Sequence, residues 1–379
     1  MKLLYIVYAK LPTQKAHGVQ IIKMCEEFFK HGIDVELLIA KNYNKSRQDL
    51  FDYYNIKNKF KVSEIIFFNL NNWGKIGEII KMISFIFFAL PYIFFRKVDI
   101  VYIRGKYYCY LTSFIKNNIF LELHSVKGPD FIMKRILKKS RGIISITEGI
   151  KNTCVDKYNV SQKKFFVAPD AVDLKVFDLD LTKEQARKKL NLPLNKKIIS
   201  YVGRFNTIGM DKGINDILES LKILKEEKII FIAVGGSERD IHYYNEKAAN
   251  LNINKQVMLL GYKKQTELAI YQKASDILLM PFPSIEHYAF YMSPMKMFEY
   301  MASKRPIIAS DLPSIREVLN ENNAFLIEPD NPDKLAQEIK KVLENQEFAN
   351  QIAQQAFRDA QNYTWDKRVT NIISFINRN

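Results

Sequence analysis

Apolar runs of strand length alternate with amphipathic runs of helix length along nearly the whole chain. Within the short runs the Ile, Val, Leu and Phe residues are almost continuous, which is typical of strands buried on both faces of a parallel sheet. The pattern predicts strands over 3–9, 34–40, 63–68, 99–104, 119–124, 142–147 and 164–169 in the first half, and over 197–203, 228–235, 256–261, 276–282, 305–311 and 324–329 in the second. We therefore expect an α/β protein with doubly wound sheets.

The alternation pauses between residues 173 and 197. Thr182 and Gln185 have the spacing of a capping box, Leu190 is the expected end of a short helix, and Pro193 follows it. The predicted organisation is a first domain over 1–175, a linker over 176–195, a second domain over 196–362, and a last helix, 363–379, that packs back on the first domain. At 379 residues, each domain is large enough for its own core.

Cysteine usage and the first residues bear on the compartment. Three cysteines at wide spacing indicate neither a disulfide framework nor a zinc site, which favours the cytosol. The opening "MKLLYIVYAKLP" is interpreted as a strand rather than a signal peptide. Residues 82–95 carry no charge, but fourteen helical residues span about 21 Å against a hydrocarbon core of about 30 Å. Pro91 interrupts them as well, so we predict that they do not cross a membrane.

The net charge of +16 is concentrated in the first half, where residues 1–180 carry 29 Lys and Arg against 17 Asp and Glu. Such a surplus favours anionic partners: phospholipid, phosphorylated small molecules or nucleic acid. No zinc-finger or RNP-like signature is present, so nucleic acid is not the expected partner. Segments 75–97 and 131–142 place Lys and Arg beside large apolar side chains, as interfacial helices do. Contact with an anionic membrane surface and packing as ordinary core helices both remain open for them.

Two cations follow the first strand of the second half. That strand ends at Gly203, Arg204 comes directly after it, and Lys212 precedes the next predicted helix. Fixed cations beside a helix N-terminus form a favourable site for a diphosphate. Solvated side chains on a loop are the alternative for Arg204 and Lys212 taken alone.

Glycines and an aromatic residue end the next two strands. Gly235 and Gly236 lack side chains that would keep a ligand from the backbone N–H groups, although such a pair is also typical of a turn. Tyr262 follows the strand that ends at Gly261. We expect Tyr262 to lie on the rim of the site.

The segment "SPMKMFEYMASKRPIIASD", residues 293–311, predicts a helix followed by a buried strand. Ser293 is the expected N-cap and Pro294 the first helical residue, so that free N–H groups point outward. Glu299 lies about one and a half turns further on, between apolar neighbours. A carboxylate there is placed to accept hydrogen bonds from a sugar diol, whereas an exposed surface Glu is the commoner arrangement.

The ordered set "YVGRF…DKG", "VGGS", "LLGY", "SDILLMPF", "SPMKMFEYMASKRPIIASDLPS" and "YTWDKRV" resembles the donor domain of retaining glycosyltransferases of family 4 over residues 196–379. In the first half, "HGVQ", "ELHS" and "VAPDAVDLKVF" are similar to that family too. The resemblance implies the GT-B fold, which consists of two doubly wound Rossmann-like domains with a cleft between them.

The resemblance also implies roles for individual residues. Arg204 and Lys212 match the pair that neutralises the diphosphate, and Glu299 matches the second Glu of the Glu-x7-Glu motif, which binds the ribose. His124 matches the histidine that faces the transferred sugar, and Gly18 lies in the Gly-rich loop that closes over donor and acceptor.

The sequence departs from the motif at its first Glu, where Tyr291 stands. Contacts to the donor sugar are therefore expected from the backbone N–H groups of Tyr291, Met292 and Ser293. Ala171 also replaces a glycine of the family pattern.

The implied activity is a metal-independent, retaining hexosyl transfer from a UDP- or GDP-sugar to a saccharide or lipid-linked acceptor, in cell-surface polysaccharide or glycolipid synthesis. The nucleotide sugar is a co-substrate, no cofactor is expected, and the expected location is the cytoplasm or the inner face of the membrane. "DLD" at 178–180 is interpreted as a turn beside the capping box rather than a metal site. A nucleotide-sugar 2-epimerase of the same fold and a basic nucleic-acid-binding protein are the alternatives.

Overall fold

The structure is a computed structural model that describes residues 1–43, 49–68, 73–207, 209–224 and 228–379. Contacts divide the chain into two compact units. The first unit joins Met1–Pro169 to Trp365–Asn379, and the second is Asp170–Thr364.

The first unit contains a parallel sheet in the order β3-β2-β1-β4-β5-β6-β7. Its strands are β1 Lys2–Lys10, β2 Asp34–Ala40, β3 Lys61–Ile65, β4 Ile100–Arg104, β5 Ile119–Leu123, β6 Gly142–Ser145 and β7 Phe165–Val167. The helices between them are α1 Ala16–Lys30, α2 Leu50–Tyr53, α3 Gly74–Phe95, α4 Lys106–Thr112, α5 Asp130–Lys139 and α6 Glu148–Tyr158. The central strands are buried on both faces, as their continuous apolar runs require.

The second unit contains a parallel sheet in the order β12-β11-β8-β13-β14-β15 and a separate short hairpin of β9 and β10. Its strands are β8 Lys197–Val202, β9 Asn206–Thr207, β10 Met210–Asp211, β11 Ile229–Val234, β12 Val257–Leu260, β13 Ile277–Met280, β14 Ile307–Ser310 and β15 Phe325–Ile327. Its helices are α7 Leu174–Phe177, α8 Lys183–Lys189, α9 Ile214–Leu224, α10 Glu238–Asn250, α11 Gln265–Ala274, α12 Glu286–Phe290, α13 Met295–Ala302, α14 Pro313–Arg316, α15 Pro332–Glu344 and α16 Gln346–Ala360.

All of the strands predicted from the sequence are present, and two doubly wound sheets are confirmed. The largest shift is in β3, which lies over Lys61–Ile65 rather than 63–68. The hairpin of β9 and β10 was not predicted, because two-residue strands have no hydrophobic period to recognise.

The predicted linker, 176–195, packs with the second unit. The capping box of Thr182 and Gln185 is present at the start of α8. Arg187 in α8 forms a buried ion pair with Asp276, whose carboxylate lies 2.6 Å away, and Lys183 lies 2.7 Å from the other oxygen. These charges hold the segment on the second sheet, because a buried carboxylate needs its cations beside it.

The last helix, α17 Trp365–Arg378, belongs to the first unit, where it packs on α1 and β6. The ring of Phe375 stacks on that of Phe166 at a centroid distance of 5.6 Å. Arg368 donates from Nε to the carbonyl oxygen of Pro169 at 2.8 Å. Helix 363–379 was predicted on this domain from the sequence, and it begins at residue 365.

Helix α3 is the longest apolar helix of the first unit and contains residues 82–95. Among the described residues, no helix has the combination of length and apolarity that a membrane crossing needs.

Candidate functional site

The carboxyl end of β8 presents Arg204 on a rigid backbone. The next residue, Phe205, is fully buried, and the Tyr201 hydroxyl donates to the Arg204 carbonyl oxygen at 2.9 Å. The Arg204 side chain itself is exposed. The guanidinium therefore projects from an anchored turn, which suits both a cation that binds an anion and the solvated side chain that was the alternative.

Lys212 lies between β10 and α9, next to Gly213. Gly213 has a φ of +88°, and a Cβ added there would lie 1.8 Å from the carbonyl oxygen of Pro281, so this turn requires glycine. Asp211 accepts from the backbone N–H of Gly213 at 3.0 Å and of Asn215 at 3.4 Å. The Asp211 carboxylate therefore occupies two of the N–H groups at the start of α9.

Arg204 and Lys212 carry charges that interact with each other. Burial, and then the charge of Arg204, lower the pKa of Lys212 to about 8. Neither side chain forms an ion pair within the described part of the chain. The charge of Arg204 acts on Asp240 from beyond ion-pair distance, and two neighbouring cations that no carboxylate of the described residues contacts within 4 Å favour the binding of an anion.

Gly235 and Gly236 follow β11, but they do not present free N–H groups. Both donate to the carbonyl oxygen of Leu260, at 2.9 and 3.1 Å, so this part of the prediction is wrong. Their small size serves packing instead: a Cβ on Gly235 would lie 2.7 Å from the carbonyl oxygen of Gly203, and one on Gly236 2.5 Å from the ring of Phe205. The glycines allow the strand ends to approach the turn that holds Arg204.

The start of α13 differs from the prediction. Pro294, rather than Ser293, is the N-cap residue, and the helix begins at Met295. The Ser293 hydroxyl accepts a hydrogen bond from the backbone N–H of Asp170 at 2.9 Å, so it is not available to cap the helix.

Glu299 lies in α13 and is buried, as its apolar flanks suggest. Burial raises the pKa of Glu299 to about 7, against the opposing effect of the nearby Lys296. Gln265 Nε2 is 3.5 Å from Glu299 Oε1. The next residue, Tyr300, accepts at its hydroxyl from the N–H of Val202 at 2.7 Å, which fixes α13 against the end of β8.

Lys296 was not recognised from the sequence. It is only 8% exposed, and its Nζ lies 3.4 Å from the ring centroid of Tyr201. Burial, and then the charge of Lys212, place the pKa of Lys296 well below its usual value. The sequence feature that could have identified Lys296 is a single cation in an apolar helix, three residues before Glu299.

Tyr291 occupies the position of the missing motif Glu. Its hydroxyl donates to Glu286 Oε1 at 3.1 Å, and its ring is largely buried. Its backbone N–H bonds to the carbonyl oxygen of His287 at 3.1 Å, so this group does not contact a donor sugar as predicted. Met292 is half-buried, and Tyr262 is 43% exposed just beyond β12.

His124 follows β5 in the first unit and contacts a buried carboxylate. Its Nε2 lies 2.6 Å from Glu122 Oε1 and 3.0 Å from Arg104 Nε. Burial and Arg104 lower the pKa of His124 to about 4, so the ring is neutral at pH 7. The Glu122 oxygen favours a proton on Nε2, whereas the N–H of Arg104 Nε favours a lone pair on the same atom, so the two groups compete for this ring nitrogen.

Glu122 is fully buried and surrounded by donors. Although burial opposes its ionisation, Arg368 and His124 hold the pKa of Glu122 well below the usual range. Arg368 lies 3.4 Å away, Gln20 Nε2 donates at 2.7 Å, and Tyr102 donates to the other oxygen. This network fixes the ring of His124.

Gly18 is the third residue of α1 rather than part of a loop, so the predicted loop position is wrong. A Cβ there would lie 2.3 Å from the Tyr54 hydroxyl and 2.7 Å from Thr13 Cγ2. The glycine is needed because Tyr54 packs directly against the first turn of α1.

The structure thus gathers Gly203, Arg204, Lys212 and Glu299 at one edge of the second sheet, with Gly235 packed beneath the turn. His124 and Gly18 lie in the first unit.

Comparisons with known proteins agree with this architecture. Residues 182–359 match the family of glycosyl transferases group 1. An uncharacterized glycosyltransferase of Methanocaldococcus jannaschii is 25% identical over 231 residues, which are 59% of this chain and 56% of that protein. The aligned segment therefore spans little more than half of that relative's length.

Two solved structures show the same fold. A glycosyltransferase from Rickettsia africae superposes with a TM-score of 0.78 at 20% identity, covering 100% of this chain and 98% of that one. The Anabaena protein HepE, in complex with UDP, superposes with a TM-score of 0.77 at 14% identity, with 100% of both chains covered. Residues 182–359 therefore match the glycosyl transferases group 1, and the chain has the GT-B fold.

Proposed function

We propose that the chain transfers a sugar from a nucleotide-sugar donor to a saccharide or lipid-linked acceptor, with retention of configuration at the transferred carbon. The observation that carries this proposal is the pair of cations, Arg204 and Lys212, at the sheet edge where α13 places the buried Glu299. The binding of UDP by the Anabaena neighbour supports a nucleotide as the ligand.

The cations act on the leaving group. As the bond between sugar and phosphate breaks, negative charge develops on the departing β-phosphate, and cations already held in place lower the barrier. One contact of this kind typically contributes about 10² to 10³ in rate. Because Arg204 and Lys212 supply this charge themselves, we propose a metal-independent transfer.

The remaining roles concern orientation. The Glu299 carboxylate accepts hydrogen bonds from the ribose hydroxyls, and the binding of a diol favours its ionised form. His124 is assigned to the transferred sugar, as the resemblance to the family implies. For retention, the acceptor hydroxyl attacks on the face that the phosphate leaves, with a phosphate oxygen as the base.

A panel of UDP- and GDP-sugars tests the proposal. Release of UDP or GDP is measured for the wild type, Arg204→Ala and Glu299→Ala, with the exposed Arg239→Ala as the matched control. We expect both site variants to lose about 10² or more in turnover with an unchanged circular dichroism spectrum, and the control to keep its rate. Site variants within a few-fold of wild type would reject the proposed site. A 2-epimerase would instead return the nucleotide still bonded to the sugar.

We also propose that the first unit docks on an anionic membrane surface through α3. One face of this helix exposes an apolar stripe, which consists of Ile76, Ile79, Ile83, Phe87 and Phe94, each more than half exposed. The opposite face is buried in the core. Large exposed apolar side chains along one helix are typical of an interfacial helix.

Basic residues on α5, which is joined to α3 through α4, indicate the kind of membrane. Helix α4 contacts both α3 and α5, and α5 exposes Lys134, Lys138 and Lys139. Each Lys near an anionic surface contributes about 1 kcal/mol of attraction. Sedimentation with vesicles of phosphatidylglycerol and phosphatidylcholine tests this, because Ile83→Ser together with Phe87→Ser should lower the bound fraction. No pelleting of the wild type at physiological salt would remove the membrane from the proposal.

A further inference from the structure

Lys296 is a buried cation whose ammonium group has no hydrogen-bond acceptor among the described residues. Two aromatic faces are its contacts, Tyr201 at 3.4 Å and Phe282 at 5.5 Å from the ring centroids. A cation–π contact offsets only part of the cost of removing an ammonium group from water. An apolar residue such as Met would suit a purely structural position better.

The ammonium group lies at the sheet edge that carries the proposed donor site. Its Nζ is 3.0 Å from the point that a Cβ on Gly203 would occupy, and Gly203 directly precedes Arg204. The Tyr300 hydroxyl, one turn along α13, is bonded to Val202 at the end of the same strand. The position of Lys296 relative to this edge is therefore fixed by the helix.

The charges around Lys296 do not balance. Arg204 lowers the pKa of Lys212, and Lys212 in turn lowers the pKa of Lys296, so the three cations are successive neighbours. Glu299 is the carboxylate that faces Lys296, and burial raises the pKa of Glu299 to about 7. Asp240 interacts with Arg204, and Asp170 with Glu299, and beside these carboxylates the three cations favour a ligand with several negative charges.

We propose that Lys296 is a third phosphate-binding cation, whose ammonium group contacts the diphosphate of the donor beside Arg204 and Lys212. This inference rests on the proposed function and deepens it. It also gives α13 two roles: Glu299 binds the ribose, and Lys296, one turn earlier, binds the phosphates. A Cβ at residue 203 would lie 3.0 Å from Nζ, so the glycine lets the ammonium group approach the residue that precedes Arg204.

The inference is tested by calorimetric titration of the wild type and Lys296→Met with UDP, GDP, UMP, GMP and inorganic pyrophosphate. Lys273→Met is the matched control, because Lys273 is also 8% exposed and lies in the same unit, in α11. We expect Lys296→Met to weaken binding of the preferred diphosphate by about 10- to 100-fold, the value of one charge-assisted hydrogen bond, and to change monophosphate binding less than about twofold. The melting temperature of Lys296→Met should equal or exceed that of the wild type, because a desolvated charge is removed.

The outcomes separate the two proposals. If the wild type binds none of the diphosphates, the proposed function fails. If the wild type binds a diphosphate, two results would overturn the role of Lys296 while the donor site stands. In the first, Lys296→Met changes the affinities for diphosphate and monophosphate equally. In the second, Lys296→Met and Lys273→Met have the same effect on diphosphate affinity. If Lys296→Met does not fold, the variant Lys212→Arg is used instead. It is titrated with the preferred diphosphate at pH 9 in two buffers of different ionisation enthalpy, which measures the number of protons taken up on binding. Proton uptake there supports a phosphate-bound Lys296, and no uptake overturns it.

Discussion

Replacing Arg368 with Met should destabilise the first unit strongly, because it removes a cation from a fully buried carboxylate. Arg368 lies 3.4 Å from Glu122, and both side chains are at most 3% exposed. Arg104, at 4.0 Å, is the other arginine near this carboxylate. The variant keeps a side chain of similar length and apolar stem, so the change is mainly one of charge and hydrogen bonding.

The magnitude follows from what remains around Glu122. Removing one partner of a buried ion pair costs about 3–5 kcal/mol in the free energy of unfolding. Arg104, Gln20 and Tyr102 still contact the carboxylate, so we expect the lower end, about 3 kcal/mol. For a unit of this size, about 1 kcal/mol shifts the melting temperature by about 2–4 °C, which gives a drop of about 6–12 °C.

Differential scanning calorimetry at pH 7 measures this drop, with Arg378→Met as the control. Arg378 lies in the same helix but is exposed, so its loss should change the melting temperature by about 1–2 °C at most. The pKa of Glu122 is lowered in the folded protein, so its stabilising contribution is present above the unfolded value of about 4.3 and is lost as the pH falls. The difference between wild type and Arg368→Met should therefore narrow below about pH 4. Equal melting temperatures for the two arginine variants would refute this account of the network.

Two further predictions concern the second unit. Gly213→Ala should lower the melting temperature of the second unit far more than Gly209→Ala. Both residues have a positive φ, but an added Cβ meets the Pro281 carbonyl only at residue 213. Equal calorimetric shifts for the two variants would contradict the role of this close approach. The affinity for UDP should fall as the pH rises through about 8, where Lys212 loses its proton, and Lys212→Arg should make this fall shallower in titrations at pH 7 and pH 9. An unchanged pH profile in Lys212→Arg would show that Lys212 does not contact the phosphates.

The central strands could be predicted because they are apolar runs buried on both faces, and burial determines that pattern. The capping box of Thr182 and Gln185 could also be predicted, because its two hydrogen bonds join residues that are close in sequence. The hairpin of β9 and β10 could not be predicted, because strands of two residues are too short to show an alternation of apolar and polar positions.

The site was predicted less completely, because its details depend on contacts between residues distant in sequence. Ser293 is of a residue type that is typical of N-caps, yet its hydroxyl accepts a hydrogen bond from the backbone N–H of Asp170. The two glycines after β11 are typical of a ligand-binding loop, yet their N–H groups donate to the carbonyl oxygen of Leu260. Lys296 shows the reverse case: a residue that resembles an ordinary helix cation becomes a buried charge once α13 is fixed to β8.

The division of the chain has a consequence for synthesis on the ribosome. The second unit is one continuous segment, Asp170–Thr364, whereas the first needs residues from both sides of it. The whole second unit is therefore translated before α17, and the sheet of the first unit waits for its final helix. Until then the ring of Phe166 and the carboxylate of Glu122 lack their partners from α17, so the nascent first unit is the one that chaperones have reason to bind.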